Sequence, residues 1–222
     1  MPTFLVFGAT GATGRHLVAM CLAQGHTVRA FVRSPQKLAN VVPAHANLEV
    51  TQGSLSDLQD SPERLDTLLV GVNYIVSMLG DGKAQQTSKV NLAFVQTLVP
   101  AMRKNKVKRF LYQAGALSKH WEKPLPFMFW LIRNTLARGG GLIGQHEDNE
   151  AVIQYLHSEA QDIEWSVHRA AVTSDNPSKG TLRRSVNDEY SIGTFVDIAS
   201  YNYAIVQDAS AIHTADLSVY DK

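Results

Sequence analysis

The sequence predicts an α/β fold, a doubly wound parallel sheet, from three observations. An apolar run, Phe4-Leu-Val-Phe7, passes through Gly8-Ala9-Thr10-Gly11-Ala12-Thr13-Gly14 onto Arg15-His-Leu-Val-Ala-Met-Cys-Leu22, which reads as strand, glycine turn and helix. Strand-like and helix-like hydrophobic periods then alternate along the chain, with no internal repeat or low-complexity tract. Finally, 222 residues at 45% hydrophobic and 18% charged can bury one full core, whereas two domains would be cramped.

The elements follow in order. After the first strand near 3–8 and a helix near 12–24, Thr27-Val-Arg-Ala-Phe-Val32 alternates and β-branches like a second strand, near 27–33. Further strands are expected near 47–51, 73–78, 107–113, 163–168 and 213–219, with helices near 55–69, 85–105, 142–158 and 195–208. This alternation implies a sheet covered on both faces, with right-handed crossovers. The expectation is a single Rossmann-type domain over residues 1–222, with a small substrate-side portion toward its C-terminal end. Two stretches break the pattern. Residues 119–141 form a long aromatic-rich insertion ending in Arg138-Gly139-Gly140-Gly141, and residues 176–191 lack helix periodicity and suggest a hairpin around Lys179-Gly180. Both are expected to complete a pocket, with Phe127, Phe129 and Trp130 as a lid or, equally, a satellite core or dimer contact.

The glycine turn carries the chemistry. Glycines at 8, 11 and 14 allow a sharp turn, a close approach of backbone to a pyrophosphate, and packing of helix on strand. The helix N-terminus adds unpaired N–H groups and the positive end of a dipole. The spacing is G-x-x-G-x-x-G rather than G-x-G-x-x-G, so the strand and helix around it give it its weight. At the end of the second strand stands Arg33-Ser34-Pro35-Gln36-Lys37. An acidic residue there would bond a ribose 2′-hydroxyl; a guanidinium with a nearby ammonium suits a 2′-phosphate, so NADP(H) is expected over NAD(H).

Gly8 to Gly14, the Arg33 to Lys37 turn, Val107-Lys-Arg-Phe-Leu-Tyr112 and Ile163-Glu-Trp-Ser-Val-His-Arg169 resemble the short NAD(P)-binding members of the atypical short-chain dehydrogenase/reductase superfamily. Within it the chain is most similar to the NmrA-like group and the flavin reductase, or biliverdin reductase B, type. Phe195-Val-Asp-Ile-Ala-Ser200 resembles the D-[IV]-A start of the family's late helix.

Ligands of such sheets bind at the carboxyl ends of the strands. That rule gathers the expected cofactor residues onto one rim: Gly8, Thr10, Gly11, Ala12, Thr13 and Gly14; Arg33, Ser34 and Lys37; Gly53 and Ser54; Met78, Leu79 and Gly80; Gln113 and Ala114; Arg169, Ala170 and Ala171. The superfamily commonly uses a Tyr-x-x-x-Lys pair as proton donor, but no tyrosine here has lysine four residues on: Tyr112 leads to Ala116, Tyr155 to Glu159 and Tyr190 to Thr194. The family's Ser or Thr after the fifth strand is replaced by Gln113-Ala114-Gly115, and its Arg-Pro by Arg169-Ala170. Loss of a positioned acid forfeits about 10²- to 10⁴-fold in rate, which a flavin, quinone or extended tetrapyrrole tolerates because its reduced anion is delocalised. Gln113, His146 and Lys119 are the remaining catalytic candidates. His146-Glu-Asp-Asn-Glu150 lacks the second histidine of H-E-x-x-H, so no metal is expected.

The leading expectation is an NADPH-dependent oxidoreductase passing hydride to a planar conjugated acceptor such as a flavin or quinone. The alternatives are an NADP(H)-binding sensor or regulatory protein of the NmrA-like kind, and a redox-neutral isomerase or cyclase on the same fold. Net charge is +1, and the one basic cluster, Arg103 to Arg109, reads as a solvated helix end rather than a nucleic-acid surface. Cys21 is the only cysteine and sits on a packed helix face, so no disulfide framework exists and a reducing, cytoplasmic setting is expected, with no signal-like or membrane-spanning segment. A monomer or homodimer is expected.

Overall fold

The structure is a computed structural model that describes residues 1–80, 83–137, 143–185, 187 and 189–221. The chain alternates as expected: β1 (Thr3–Phe7), α1 (Ala12–Ala23), β2 (Thr27–Val32), α2 (Pro35–Ala39), β3 (Leu48–Gln52), α3 (Leu55–Asp60), α4 (Glu63–Leu69), β4 (Tyr74–Ser77), α5 (Val90–Asn105) and β5 (Arg109–Gly115). It continues through α6 (Phe127–Ile132), α7 (Ile143–Glu159), β6 (Glu164–Ala170), β7 (Val172–Ser174), β8 (Leu182–Ser185), β9 (Gly193–Thr194), α8 (Phe195–Ile205) and β10 (Thr214–Tyr220). An eight-stranded sheet runs β3-β2-β1-β4-β5-β6-β10-β8, parallel except for the antiparallel β10–β8 pair; β7 and β9 make a separate two-stranded ribbon.

The period-2 alternation of the strands divides the core between two faces. Leu5 and Phe7 of β1, Ile75, Phe110, Tyr112 and Trp165 face α5 and α7, where Phe94, Leu98, Val152 and Leu156 meet them. Phe4 and Val6, with Val28, Ala30, Val76 and Leu111, face α1 and α8 and pack on Leu17, Cys21, Ile198 and Ala199. Truncating a fully buried member such as Leu111 to Ala costs about 2–5 kcal/mol. Cys21 is wholly buried, and burial pushes its thiol up to about 12, as an inert core position requires.

Departures from the sequence reading have local causes. The helix expected over 55–69 is two, because Pro62 has no N–H to donate and forces Ser61 into an extended conformation (φ −136°). β5 starts two residues late because Lys106 turns left-handed (φ +57°) and closes α5, with Val107 N donating to Met102 O at 3.0 Å. Among the described residues, the expected hairpin around Lys179-Gly180 does not form. Ser178 and Lys179 N instead donate to Asp197 at the start of α8, and the next residues, Leu182–Ser185, pair with β10, Tyr220 opposite Leu182 and Leu217 opposite Ser185. The basic cluster is not simply solvated: Arg103 pairs with Asp162, Lys104 with Asp66, and Arg109 caps the C-terminal end of α8 through Val206 O (2.9 Å) and Asp208 O (2.8 Å).

Candidate functional site

Where the strand order reverses, β1 lies against β4, and the crevice at their carboxyl ends opens beside the glycine turn. Gly8 follows β1 at φ +84°, and a Cβ built there would stand 2.6 Å from Met78 O, so the turn is pressed against the end of β4. Gly14 does the same for the helix: a Cβ would lie 2.1 Å from Gly8 O. Gly11 differs. It is exposed, donates its own N–H to Gly8 O at 2.9 Å, and is the N-cap of α1 without a side chain to turn back on the first N–H groups of the helix.

A cavity of about 430 Å³ fills this crevice. Arg33 and Lys37 stand at one end with Gly53 and Ser54, Gly8, Thr10 and Gly11 form the middle, and Met78, Leu79 and Gly80 the other end. Lys37 is brought there by α2, which Ser34 caps by accepting from Lys37 N at 3.3 Å with Pro35 at the first helical position. Ser54 starts α3 through a capping box with Asp57, whose carboxyl the Ser54 hydrogen bonds hold below its ordinary value.

Several expected residues stand elsewhere. Ala12, Thr13 and Gly14 lie in the first turn of α1 and Ser34 serves as a cap; none lines the cavity. Ala114 and Ala170 are buried in neighbouring strands, and Ala171 packs against the cluster of Ala116, Leu125, Phe129 and Leu217. Arg169 is corrected most sharply: it is 1% exposed, and its guanidinium is directed to Ala215 O at 2.8 Å and Ser118 O at 3.3 Å, joining β6 to β10 and to the turn after β5. Its position late in a fully buried strand explains this, since an inward guanidinium must satisfy its donors on main-chain carbonyls. Lys119 lines a second, smaller hollow of about 370 Å³ with Lys89, His120, Trp121 and Glu147, apart from Gln113 and His146.

Ser56, Gln59, Ala84, Val90 and Asn91 line the cavity without having been singled out from the sequence. Asn91 is the one with a visible architecture: its Nδ2 donates to Tyr112 Oη at 2.9 Å, and that hydroxyl donates to Asn149 Oδ1 at 2.6 Å. Asp148 holds this corner by accepting from the backbone N–H groups of Asn91 and Leu92, both at 3.0 Å, and from Gln85 Nε2 at 2.9 Å. An acidic side chain on α7 thus caps α5, whose own N-cap, Lys89, offers no acceptor.

Two candidates meet the carboxyl end of β5. Gln113 Oε1 accepts from Asn202 Nδ2 of α8 at 2.7 Å, and Asn202 Oδ1 lies 2.7 Å from His168 Nδ1. His146 is 7% exposed, on α7, and faces Gly115: a Cβ built on that glycine would stand 3.4 Å from its Cε1. Burial, and then the Arg133 guanidinium, push His146 down to about 4, only partly offset by Glu150. Of the expected lid, Phe129 turns inward, its ring 4.1 Å from that of Tyr190, while Phe127 and Trp130 face outward at 74% and 49% exposure. Arg138 to Gly141 fall outside the described residues.

A glycine turn leading into a helix at the strand-order reversal of such a sheet defines a Rossmann-type α/β protein. The sequence profile of the NAD(P)H-binding family matches residues 8–209, and the chain belongs to that family. Among curated relatives, the 3 beta-hydroxysteroid dehydrogenase/Delta 5-->4-isomerase of Mycobacterium tuberculosis is 32% identical over 118 residues, covering 50% of this chain but 31% of the relative. The oxidoreductase stcQ of Emericella nidulans is 34% identical over 109 residues, 44% of this chain and 40% of its own. The chain therefore spans well under half of either relative. Among solved structures, the oxidoreductase ylbE of Lactococcus lactis superposes with a TM-score of 0.77 at 19% identity, covering 99% of this chain and 91% of its own. The fold and family expected from the sequence are borne out. Among the described residues, no helix is long and apolar enough to cross a membrane.

Proposed function

We propose that the chain is an NADPH-dependent oxidoreductase that passes hydride to a planar conjugated acceptor such as a flavin or quinone. The observation that carries this reading is one cavity that joins the glycine turn, at Gly8, Thr10 and Gly11, to Arg33 and Lys37. The residues fit the cofactor. Gly11 leaves room for phosphates beside the uncapped N–H groups of α1, and the two cations suit a 2′-phosphate at the end of β2. The bound nicotinamide would supply the hydride.

The chain's own part is to bind and to align, which can contribute about 7–11 kcal/mol. Tyr112 is no substitute for the missing phenolic acid: it is wholly buried, burial drives its hydroxyl upward, and its proton is committed to Asn149. A delocalised acceptor suits a site of this kind, since solvent can protonate its reduced form. Among solved structures of this fold, ChuY of Escherichia coli O157:H7 is described as an anaerobillin reductase and superposes with a TM-score of 0.72 at 15% identity, covering 99% of this chain and 98% of its own.

The test is calorimetric titration with NADPH and NADH, followed by NADPH oxidation at 340 nm with flavins, quinones and simple ketones. Tight NADPH binding with turnover of flavins or quinones and little of ketones supports the reading, and Gly11→Val should abolish binding while the fold survives. Tight binding with no turnover of any acceptor would assign the chain a sensing role instead.

A further inference from the structure

We propose that His146 meets the acceptor, its imidazole N–H hydrogen-bonding the oxygen or ring nitrogen on which electron density gathers during reduction; this rests on the reductase reading above. The imidazole is more than nine-tenths buried, yet neither ring nitrogen has a hydrogen-bond partner among the described residues. Leaving buried polar atoms unpaired costs about 1–3 kcal/mol each. The other buried histidine, His168, is fully paired, through Nδ1 to Asn202 and Nε2 to Ser218 Oγ at 2.9 Å.

The polar groups around His146 are committed elsewhere. Asn149 accepts from Tyr112, Asp148 from α5 and Gln85, and Arg133 and Glu150 pair with each other. What His146 faces instead is Gly115, the last residue of β5, whose missing side chain leaves only backbone between the ring and the end of that strand. The adjacent Gln145 lies over Gly80, its Nε2 3.8 Å from a Cβ built there, and Gly80 lines the β4 end of the cofactor cavity. His146 therefore stands one step along the rim from the end of the cavity opposite Arg33, where the acceptor must sit if the 2′-phosphate binds at Arg33.

Burial keeps the ring neutral near pH 7, so it offers an N–H without bringing a charge that would itself need compensation. The acceptor gains two electrons and one proton as hydride and takes its second proton from water; His146 retains its own. The ligand class that follows is a conjugated ring system bearing a carbonyl oxygen or imine-type nitrogen at its reducible end.

The variants His146→Phe and His146→Gln separate this role from packing. With the folded variants, NADPH affinity by calorimetry should stay within about twofold of wild type, while kcat/KM with FMN or a 1,4-naphthoquinone falls at least tenfold for Phe and less for Gln, which can still donate a hydrogen bond. A second readout does not depend on turnover: the His146 ring signals in a ¹⁵N-edited NMR spectrum of the NADP⁺-loaded protein should shift on titration with FMN and with the quinone. Unchanged kcat/KM in the Phe variant, or ring signals indifferent to both probes, overturns the role of His146 and leaves the reductase reading standing. If the wild-type protein fails to bind NADPH, the reductase reading falls and the role assigned to His146 falls with it. If it binds NADPH but turns over neither probe, the ring signals alone decide.

Discussion

Asn202 of α8 donates to Gln113 of β5 across 2.7 Å, and its other end meets His168 Nδ1, also at 2.7 Å. With Asn202 Nδ2 donating, its Oδ1 must accept, so His168 carries its proton on Nδ1 and accepts from Ser218 at Nε2. The chain of bonds fixes the Gln113 side-chain carbonyl toward α8. Asn202→Ala removes the centre of this chain and strands the buried His168 and the half-buried Gln113. It should lower unfolding free energy by about 1–3 kcal/mol in urea, with an unchanged m-value.

His168 also sets a pH dependence. Burial pushes it down to about 4 from an ordinary value of 6.5, against the pull of its Asn202 bond. The folded chain thus refuses a proton that the unfolded chain takes up, so stability is complete above pH 6.5 and falls as pH drops toward 4. The slope is at most about 1.4 kcal/mol per pH unit. Because carboxylates titrate in the lower part of this window too, the measurement is a difference: His168→Gln, which can still donate to Asn202 and accept from Ser218, should lose less stability than wild type between pH 6.5 and 5.

The glycine turn and the rim beside it are legible in the sequence because their requirements are local. Gly8 and Gly14 answer to backbone clashes within one turn, and Arg33 and Lys37 to the end of one strand and the helix that Ser34-Pro35 begins. What could not be read depends on elements far apart in sequence. Asp148 caps a helix that begins at Val90, Arg169 bonds a carbonyl of Ala215, and Asn91 owes its place to Tyr112 and Asn149. No periodicity records such pairings. The hairpin expected around Lys179-Gly180 fails for the same reason, since β8 is specified by β10 and by Asp197 rather than by its own turn residues.

Arg33 provides the direct test of cofactor choice. If its guanidinium, with Lys37, holds the 2′-phosphate, Arg33→Ala should weaken NADP(H) binding at least tenfold, about 1.4 kcal/mol, and leave NAD(H) nearly unchanged. The preference should also shrink as salt is raised, because both side chains are exposed. Calorimetry giving equal affinities for the two cofactors in the wild-type protein would exclude this role.

Arg133 ties the aromatic insertion to α7. Its Nη1 donates to Leu117 O at 2.8 Å and to Glu150, which also accepts from Lys119 N at 2.7 Å, so one ion pair holds the segment after β5, the turn beyond α6 and α7 together. Arg133→Met keeps the bulk and removes the charge, leaving Glu150 largely buried without its partner, at a cost of about 3 kcal/mol. Limited proteolysis within residues 117–137 should accelerate correspondingly. The same substitution carries a signature that lost packing alone does not predict. Burial and the Arg133 charge both hold His146 down, and Glu150 acts the other way. Removing the positive charge should therefore raise the His146 pKa from about 4 toward 6.5, whereas Glu150→Gln should lower it further. An NMR titration of the His146 ring in the two variants reads the signs directly, and movement in the same direction in both would mean that the pair does not act on His146 through charge.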